Sequence, residues 1–323
     1  MVETTVVGSY PKPPEEGNAF VLRKTLHALE RHEADPDDLT AAQDDLATEV
    51  IAEQEAAGID LVTDGHVRWD DLLTPFARSM SGFEIGGLMR WFDNNVYYRR
   101  PVCVGPIEWG GPASVDAYRH AASVATKTVK AVIPGPITFA RLSVDEHYGV
   151  YEKFVLALAR VLAQEAFELQ AAGAPVIQID EPALLSAPED LELARRALET
   201  ITAEISAAET TLMTYFGDAK RLGRDLFALP VDGFGLDLVA GPENAELLGS
   251  LPGEARIQAG VVDARNTRLE PEADLVRAID AVARQVGPQR LRVGPSAGLE
   301  FLPREKARAK LARLASAARK VGD

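Results

Sequence analysis

The stretch Gly173-Ala174-Pro175-Val176-Ile177-Gln178-Ile179-Asp180-Glu181-Pro182-Ala183-Leu184 decides the fold. An apolar-periodic helical stretch, Tyr151–Ala172, runs into Gly173, which stops it. The apolar run Pro175–Asp180 is short enough to be a buried strand, and it ends in two carboxylates and a proline. A helix feeding such a strand is a repeating piece of a parallel sheet covered by helices. Working outward, seven further runs have the same character: Thr4–Ser9, Asp60–Asp64, Val129–Ile133, Thr210–Phe216, Gly233–Val239, Arg256–Val262 and Leu291–Gly294. Helical patterns lie between them, around Ala42–Ala57 (stopped by Gly58), Leu191–Ala208, Ala219–Leu226, Pro271–Val286 and Arg304–Lys320. Pro271 suits a first helical turn, where its missing N–H costs nothing. Eight strands, each followed by a helix or a long insertion, predict an α/β fold, the (β/α)8 TIM barrel, as a single domain over residues 1–323. Leu72–Thr126 is the irregular part. It reads as an excursion after strand two, with a β-hairpin in the alternating stretch around Val96–Ile107.

The 323 residues carry 34 Lys+Arg against 49 Asp+Glu, a formal charge of −15. That balance argues against a nucleic-acid partner, whose phosphates need clustered cations. Barrels of this class take about 250 residues, so the length accommodates one with an insertion. Cys103 is the only cysteine; it excludes an intrachain disulfide and any metal site built on two thiolates of this chain. No run approaches the roughly 18 apolar residues of a membrane helix, and the start lacks a signal-peptide pattern. A soluble, cytoplasmic protein with no membrane partner is expected.

In such barrels chemistry collects at the C-terminal ends of the strands. The polar residues there are Ser9 and Tyr10; Asp64, His66 and Arg68; Asp180 and Glu181; Tyr215; Asp237; Asp263, Arg265 and Asn266; and Ser296. Asp180 and Glu181 are the sharpest pair, because adjacent carboxylates raise at least one pKa and suit proton transfer or cation binding. The competing structural reading has Glu181 capping the next helix and Asp180 paired with an arginine; any Asp after a strand can equally be an N-cap. His66 is the one histidine of five at a predicted strand end, and it reads as a pocket hydrogen-bonding group before a metal ligand. Arg99-Arg100, after Tyr97-Tyr98, offers fork donors for a carboxylate or phosphate. The same pair would also serve as an exposed charged rim.

Thr4-Thr5-Val6-Val7-Gly8-Ser9-Tyr10-Pro11, Gly135-Pro136-Ile137-Thr138 and the Gln178–Leu184 motif make the chain resemble cobalamin-independent methionine synthase over nearly its whole length. That family looks like two tandem barrels, of which this chain is one barrel long. The resemblance implies methyl transfer from 5-methyltetrahydrofolate to homocysteine, with zinc activating the thiol in the C-terminal barrel. It places Ser9 and Asp180 on the homocysteine amino-acid moiety and puts Arg100, with Arg99, among folate contacts. The zinc set is not carried over. The His-x-Cys pair reads Leu212-Met213-Thr214, the glutamate falls on Asp237, the last cysteine falls on Ala297, and a general-acid histidine falls on Arg265. No metal held by this chain is therefore expected. Trp91–Tyr98, Thr214-Tyr215-Phe216, Gly235–Val239 and Ala264-Arg265-Asn266 look more like the N-terminal barrel of the family, while the opening Gly-Ser-Tyr-Pro and Arg99-Arg100-Pro101 lean the other way.

Three functions follow. The chain is a separately encoded half that works with a zinc-bearing C-terminal-type partner, helps to bind the folate, and offers Lys12, Arg23 and Lys24 to a polyglutamate tail. Alternatively it is a stand-alone, zinc-free enzyme on another small substrate, with Asp180, Glu181, His66 and Arg265 as catalytic groups. Ser9, Asp64, Arg99, Arg100, Tyr215, Asp237, Asp263 and Asn266 would then contact the substrate. In the third reading it is a non-catalytic barrel that binds amino acid or folate.

Overall fold

A computed structural model describes residues 2–13 and 17–321. In chain order its regular elements are β1 (Glu3–Thr4), α1 (Gly17–Glu30), α2 (Pro36–Ala56), β2 (Leu61–Val62), α3 (Thr74–Ser79), β3 (Met80–Arg90), β4 (Tyr97–Trp109) and α4 (Val115–Val124). Then come β5 (Thr128–Val129), β6 (Ala131–Pro134), α5 (Pro136–Arg141), β7 (Val144–Asp145), α6 (Tyr151–Ala171), β8 (Val176–Asp180), α7 (Leu191–Thr202) and β9 (Glu209–Met213). The chain ends through β10 (Gly233–Asp237), α8 (Asn244–Leu247), β11 (Arg256–Val262), α9 (Glu272–Val286), β12 (Leu291–Pro295) and α10 (Arg304–Arg319). Among the described residues no helix is long and apolar enough to cross a membrane.

Seven strands form one parallel sheet in the order β1-β12-β11-β10-β9-β8-β6. The remaining gap is filled by β2. It meets the first strand through the Thr5–Leu61 bridge and pairs with β5. Lys130 N–H donates to Val62 O at 2.9 Å, which carries that pairing into β6. With β5 and β6 counted as one interrupted strand, eight strands close on themselves as the (β/α)8 barrel expected. β8, β10 and β12 are buried along their whole length, as parallel strands must be when helices cover one face and the barrel interior the other. The outer helices are one-sided: α7 buries Ala194, Ala197, Leu198 and Ile201, spaced at i, i+3, i+4 and i+7.

Several boundaries differ from the sequence reading, each for a local reason. α2 begins at Pro36, earlier than hydrophobic periodicity marks, because Asp35 accepts from the Asp37 and Asp38 amides and makes a capping box. The first strand is short: its ladder ends at Thr4, Thr5 bridges to Leu61, and the Val6 and Val7 carbonyls accept from the Lys130 and Gln178 side chains rather than from a neighbouring strand. Ala219–Leu226 is not a helix; a 3-10 segment, Gly223–Ala228, stands nearby. Pro271 sits in an extended conformation at the N-cap, one place before α9. The excursion holds α3, the antiparallel hairpin β3–β4 and α4, and β7 adds a short parallel strand to the hairpin. The hairpin tip leans over the barrel: Phe92 meets Phe216 at 5.6 Å, and Arg265 Nη1 donates to Asn94 Oδ1 at 3.4 Å while lying over the Phe216 ring.

The barrel interior is polar at two levels. At the N-terminal end of the strands, Arg292 donates to Glu3 Oε2 at 2.6 Å and by two bonds to Glu209, and Arg256 joins Glu209 at 3.2 Å. Midway, the buried Lys130 ammonium donates to Val6 O, to Gln178 Oε1 (2.7 Å) and to Gln258 Oε1 (3.1 Å), which uses all three of its N–H bonds. Lys130→Met is expected to lower stability by roughly 2–4 kcal/mol, because three buried acceptors lose their donor. Urea denaturation checks this; an unchanged midpoint would show that the hub is dispensable.

Candidate active site

The C-terminal ends of the strands surround a cavity of about 320 Å³. Its floor carries Ser9, His66, Asp180 and Tyr215; Lys12, Trp69 and Glu300 stand in the walls, and Trp91, Tyr97 and Tyr98 of the hairpin form the roof. Backbone bonds bring the loops together. Tyr10 N–H donates to Gly65 O (3.0 Å), Thr63 Oγ1 to Gly8 O (2.9 Å), and Leu299 N–H to Ser9 O (2.8 Å).

His66 has a left-handed backbone (φ 51°), rare for a residue with a side chain. The conformation is held from both sides: Asp64 Oδ1 accepts the His66 amide at 3.0 Å, and Lys12 Nζ donates to His66 O at 2.8 Å and Trp69 O at 2.9 Å. Its imidazole stacks on Trp69 with centroids 3.7 Å apart and approaches Ser9 Oγ through Nδ1 at 3.0 Å. Gly8 makes room for it, since a Cβ there would stand 2.3 Å from Cε1. The other ring nitrogen, Nε2, is buried and has no hydrogen-bond partner among the described residues; the same holds for Trp69 Nε1 and one oxygen of Glu300, Oε2.

Asp180 is the end of a relay that begins at Lys130. Gln178 turns its carbonyl to Lys130 and its amide to Asp180 Oδ1 (2.6 Å), and Tyr215 OH donates to Asp180 Oδ2 (3.0 Å). Burial pushes the Asp180 carboxyl up to about 7 despite these donors and Lys130. Burial also raises Glu300 to about 7, with Asp180 adding to the effect. It drives Lys130 down to about 7, helped by Arg292. Desolvation, with Lys12 and Lys130 nearby, holds the His66 imidazole well below its ordinary value, so it is neutral and weakly basic. A set of perturbed groups around one cavity is the signature of a functional site.

The other expected site residues are engaged elsewhere. Glu181 accepts from the Ile137 and Thr138 amides at 2.8 and 2.6 Å, so it anchors the start of α5 and does not line the cavity. Asp237 accepts from the Phe216, Val239 and Ala240 amides, an Asx-type turn. Asp263 and Asn266 accept from Arg265 and Arg268 amides and line a separate open groove. Asp64 turns the chain into His66. Arg265 reaches the hairpin tip rather than the cavity. Arg99 is exposed, and Arg100 donates to Ser143 O at 3.4 Å; the roof comes from the neighbouring tyrosines instead. Lys12 is a wall strut, apart from the exposed Arg23 and Lys24 on α1. Glu300 and Trp69 were missed. Glu300 lies in the loop beyond β12, and only the Gly298-Leu299-Glu300 spacing after that strand could have pointed to it.

A family profile described as the catalytic domain of cobalamin-independent synthases matches residues 2–320. The chain belongs to that family. Methionine synthases of Sulfolobus acidocaldarius and Saccharolobus solfataricus are each 32% identical to it, over 96% of this chain and 89% and 92% of theirs. A B12-independent methionine synthase from a Shewanella species, solved with selenomethionine, superposes with a TM-score of 0.86 at 22% identity, covering 99% of this chain and 97% of that one. A methyltransferase from Methanosarcina mazei gives 0.66 at 14% identity. Membership places the chain among the methyltransferases of methionine biosynthesis. The matching profile is that of the catalytic domain, and it lends no support to the leaning toward an N-terminal-type barrel.

Zinc does not fit the donors at the family's metal positions. Leu212 is buried and apolar, Thr214 Oγ1 donates to Gly235 O at 2.8 Å, and Ala297 has no donor atom. Asp237 is already held by three amides. Among the described residues no three His, Cys, Asp or Glu side chains group as a metal site requires, and Cys103 is buried in the hairpin, donating to Gly105 O.

The Asp180 value near 7 lies above the roughly 4 of an unfolded Asp, so between those values the folded chain keeps a proton the unfolded chain has lost. Stability from this group falls as pH rises from about 4 to about 7 and stays lost above. Asp180→Asn is expected to raise the melting temperature by a few degrees near pH 8 and leave it unchanged near pH 4. Differential scanning calorimetry decides, and a lower melting temperature near pH 8 refutes the buried-charge assignment.

Proposed function

We propose that this barrel serves methyl transfer to homocysteine in the cytoplasm by holding the amino-acid moiety of homocysteine or methionine in the 320 Å³ cavity, as one half of an assembly whose zinc-bearing barrel activates the thiol. The observation that carries this is the contrast at the site. Ser9 and Asp180 stand in a buried cavity with unpartnered polar atoms, while the positions that would hold zinc carry Leu212, Thr214, Asp237 and Ala297. A thiol ordinarily titrates near 8.5, and burial raises it further. A weakly basic His66 is a poor acceptor for that proton, so a thiol in this cavity stays protonated. The chain's own groups therefore bind and orient; they do not make the nucleophile.

The donor, 5-methyltetrahydrofolate, would enter beside the aromatic roof. A neighbouring cleft shares Lys12, Trp69 and Asp70 with the cavity and carries Arg23, with Arg68 ion-paired to Asp44 beside it; Arg23 is the group there suited to an anionic tail. A second reading has the chain acting alone, without zinc. It is favoured by the curated relatives, which are of similar length, since this chain covers 89% and 92% of theirs.

Purified chain is expected to show no methyl transfer from 5-methyltetrahydrofolate to homocysteine. It should raise the rate of a zinc-bearing C-terminal-type barrel by about tenfold or more when mixed, the scale of a positioning effect. Full turnover by the isolated chain overturns the assembly reading in favour of the second. Elemental analysis is expected to find no stoichiometric zinc, and tightly bound zinc contradicts the donor assignment. Arg23→Glu combined with Lys24→Glu should weaken binding of a polyglutamylated folate several-fold relative to the monoglutamate, measured by fluorescence titration.

A further inference from the structure

We propose that Glu300 is the second half of an ammonium receptor whose first half is Asp180, and that it sets the cavity's specificity for ligands carrying a primary ammonium group; this rests on the amino-acid reading of the cavity. Both carboxylates line the cavity, one at the end of β8 and one in the loop after β12. Glu300 Oε2 is buried and has no hydrogen-bond partner among the described residues. An acceptor left this way is unfavourable by itself and becomes favourable when a ligand supplies the donor.

The surroundings define what the ligand must bring. Lys12 lines the same cavity, but its Nζ is turned to the backbone oxygens of His66 and Trp69. Asp180 receives only neutral donors, Gln178 and Tyr215. Two carboxylates thus share a cavity in which, among the described residues, neither has a paired cation. A ligand ammonium, with three N–H bonds, supplies the missing charge and reaches both. A carboxylate alone would be repelled. Trp69 and Ser9 line the same cavity; the Trp69 Nε1–H, without a partner among the described residues, and the Ser9 hydroxyl, beside His66 Nδ1 at 3.0 Å, are neutral groups suited to the acid end of the same molecule. The ligand class is a zwitterionic α-amino acid.

Gly298 is part of the same device. A Cβ at that position would stand 2.1 Å from Glu300 Oε2, so the carboxylate occupies space that any other residue would fill. Leu299 between them is tied to Ser9 O at 2.8 Å, which couples the Glu300 loop to the floor of the cavity.

The test is isothermal calorimetry on the full chain and on Glu300→Gln and Gly298→Ala, with three probes. They are L-methionine, 3-(methylthio)propylamine (ammonium only) and 4-(methylthio)butanoate (carboxylate only). Glu300→Gln is expected to lose about ten- to hundredfold in affinity for L-methionine and for the amine, the scale of a charge-assisted bond, while the butanoate binds no more weakly than to the wild type, since a repelling charge is gone. Gly298→Ala, which displaces the same carboxylate, should follow it. If Glu300→Gln binds L-methionine as the wild type does, the inference falls while the amino-acid reading stands. Equal loss of all three probes assigns Glu300 a structural role and also overturns it. If the wild type binds only the amine, and in a Glu300-dependent way, the inference holds and the amino-acid reading falls. Wild-type binding of none of the three removes both.

Discussion

A buried ammonium has few places to put three N–H bonds, and Lys130 puts them on three separate parts of the barrel. Its partners are Val6 O, just beyond the first strand, and Gln178 Oε1 and Gln258 Oε1 of the fourth and seventh strands. The bonds cross the interior instead of following the sheet. They decide which way each glutamine amide faces, and through Gln178 that choice reaches Asp180 at the mouth. A barrel filled by aliphatic layers would be as well packed but would leave the Asp180 carboxylate without its orienting donor. Stability and site geometry here therefore depend on one polar contact.

Desolvation does two jobs in this cavity. It weakens His66 as a base, and it brings Asp180 and Glu300 close to neutrality. The first effect disfavours making a thiolate, and the second means that a ligand ammonium, by supplying the missing positive charge, favours the ionised carboxylates. The aromatic roof sharpens them by excluding water, and it rests on the barrel through Phe92, Phe216 and the Arg265–Asn94 bond. Arg265, expected at the chemistry, acts as a roof contact instead.

The strands and helices were legible because each apolar run is short and punctuated by glycine, proline or a carboxylate, which also marked the strand ends as the site. Ser9, His66, Asp180 and Tyr215 were found by that rule alone. The rule could not separate them from Asp237, Asp263 and Glu181, because the same carboxylate that binds a ligand also binds free backbone amides. Asp237 takes three such amides and Glu181 takes two, a distinction written in loop geometry rather than in residue type. Glu300 escaped because it follows its strand by a loop, and nothing local announces that Gly298 lets it fold back. The early start of α2, by contrast, was available in Asp35-Pro36, a capping signal independent of hydrophobic periodicity.

The pairing that closes the barrel joins Glu3 to Arg292, positions 289 apart in the chain. During synthesis the first strand emerges long before the strand that will lie beside it. Until the last βα unit is made, Glu3 lacks Arg292 and the sheet has two open edges. Folding is thereby biased toward a late closure step, slow and of high contact order, in which the Arg292 bonds to Glu3 and Glu209 form. The partly made chain, with exposed strand edges, is the species that a chaperone would meet.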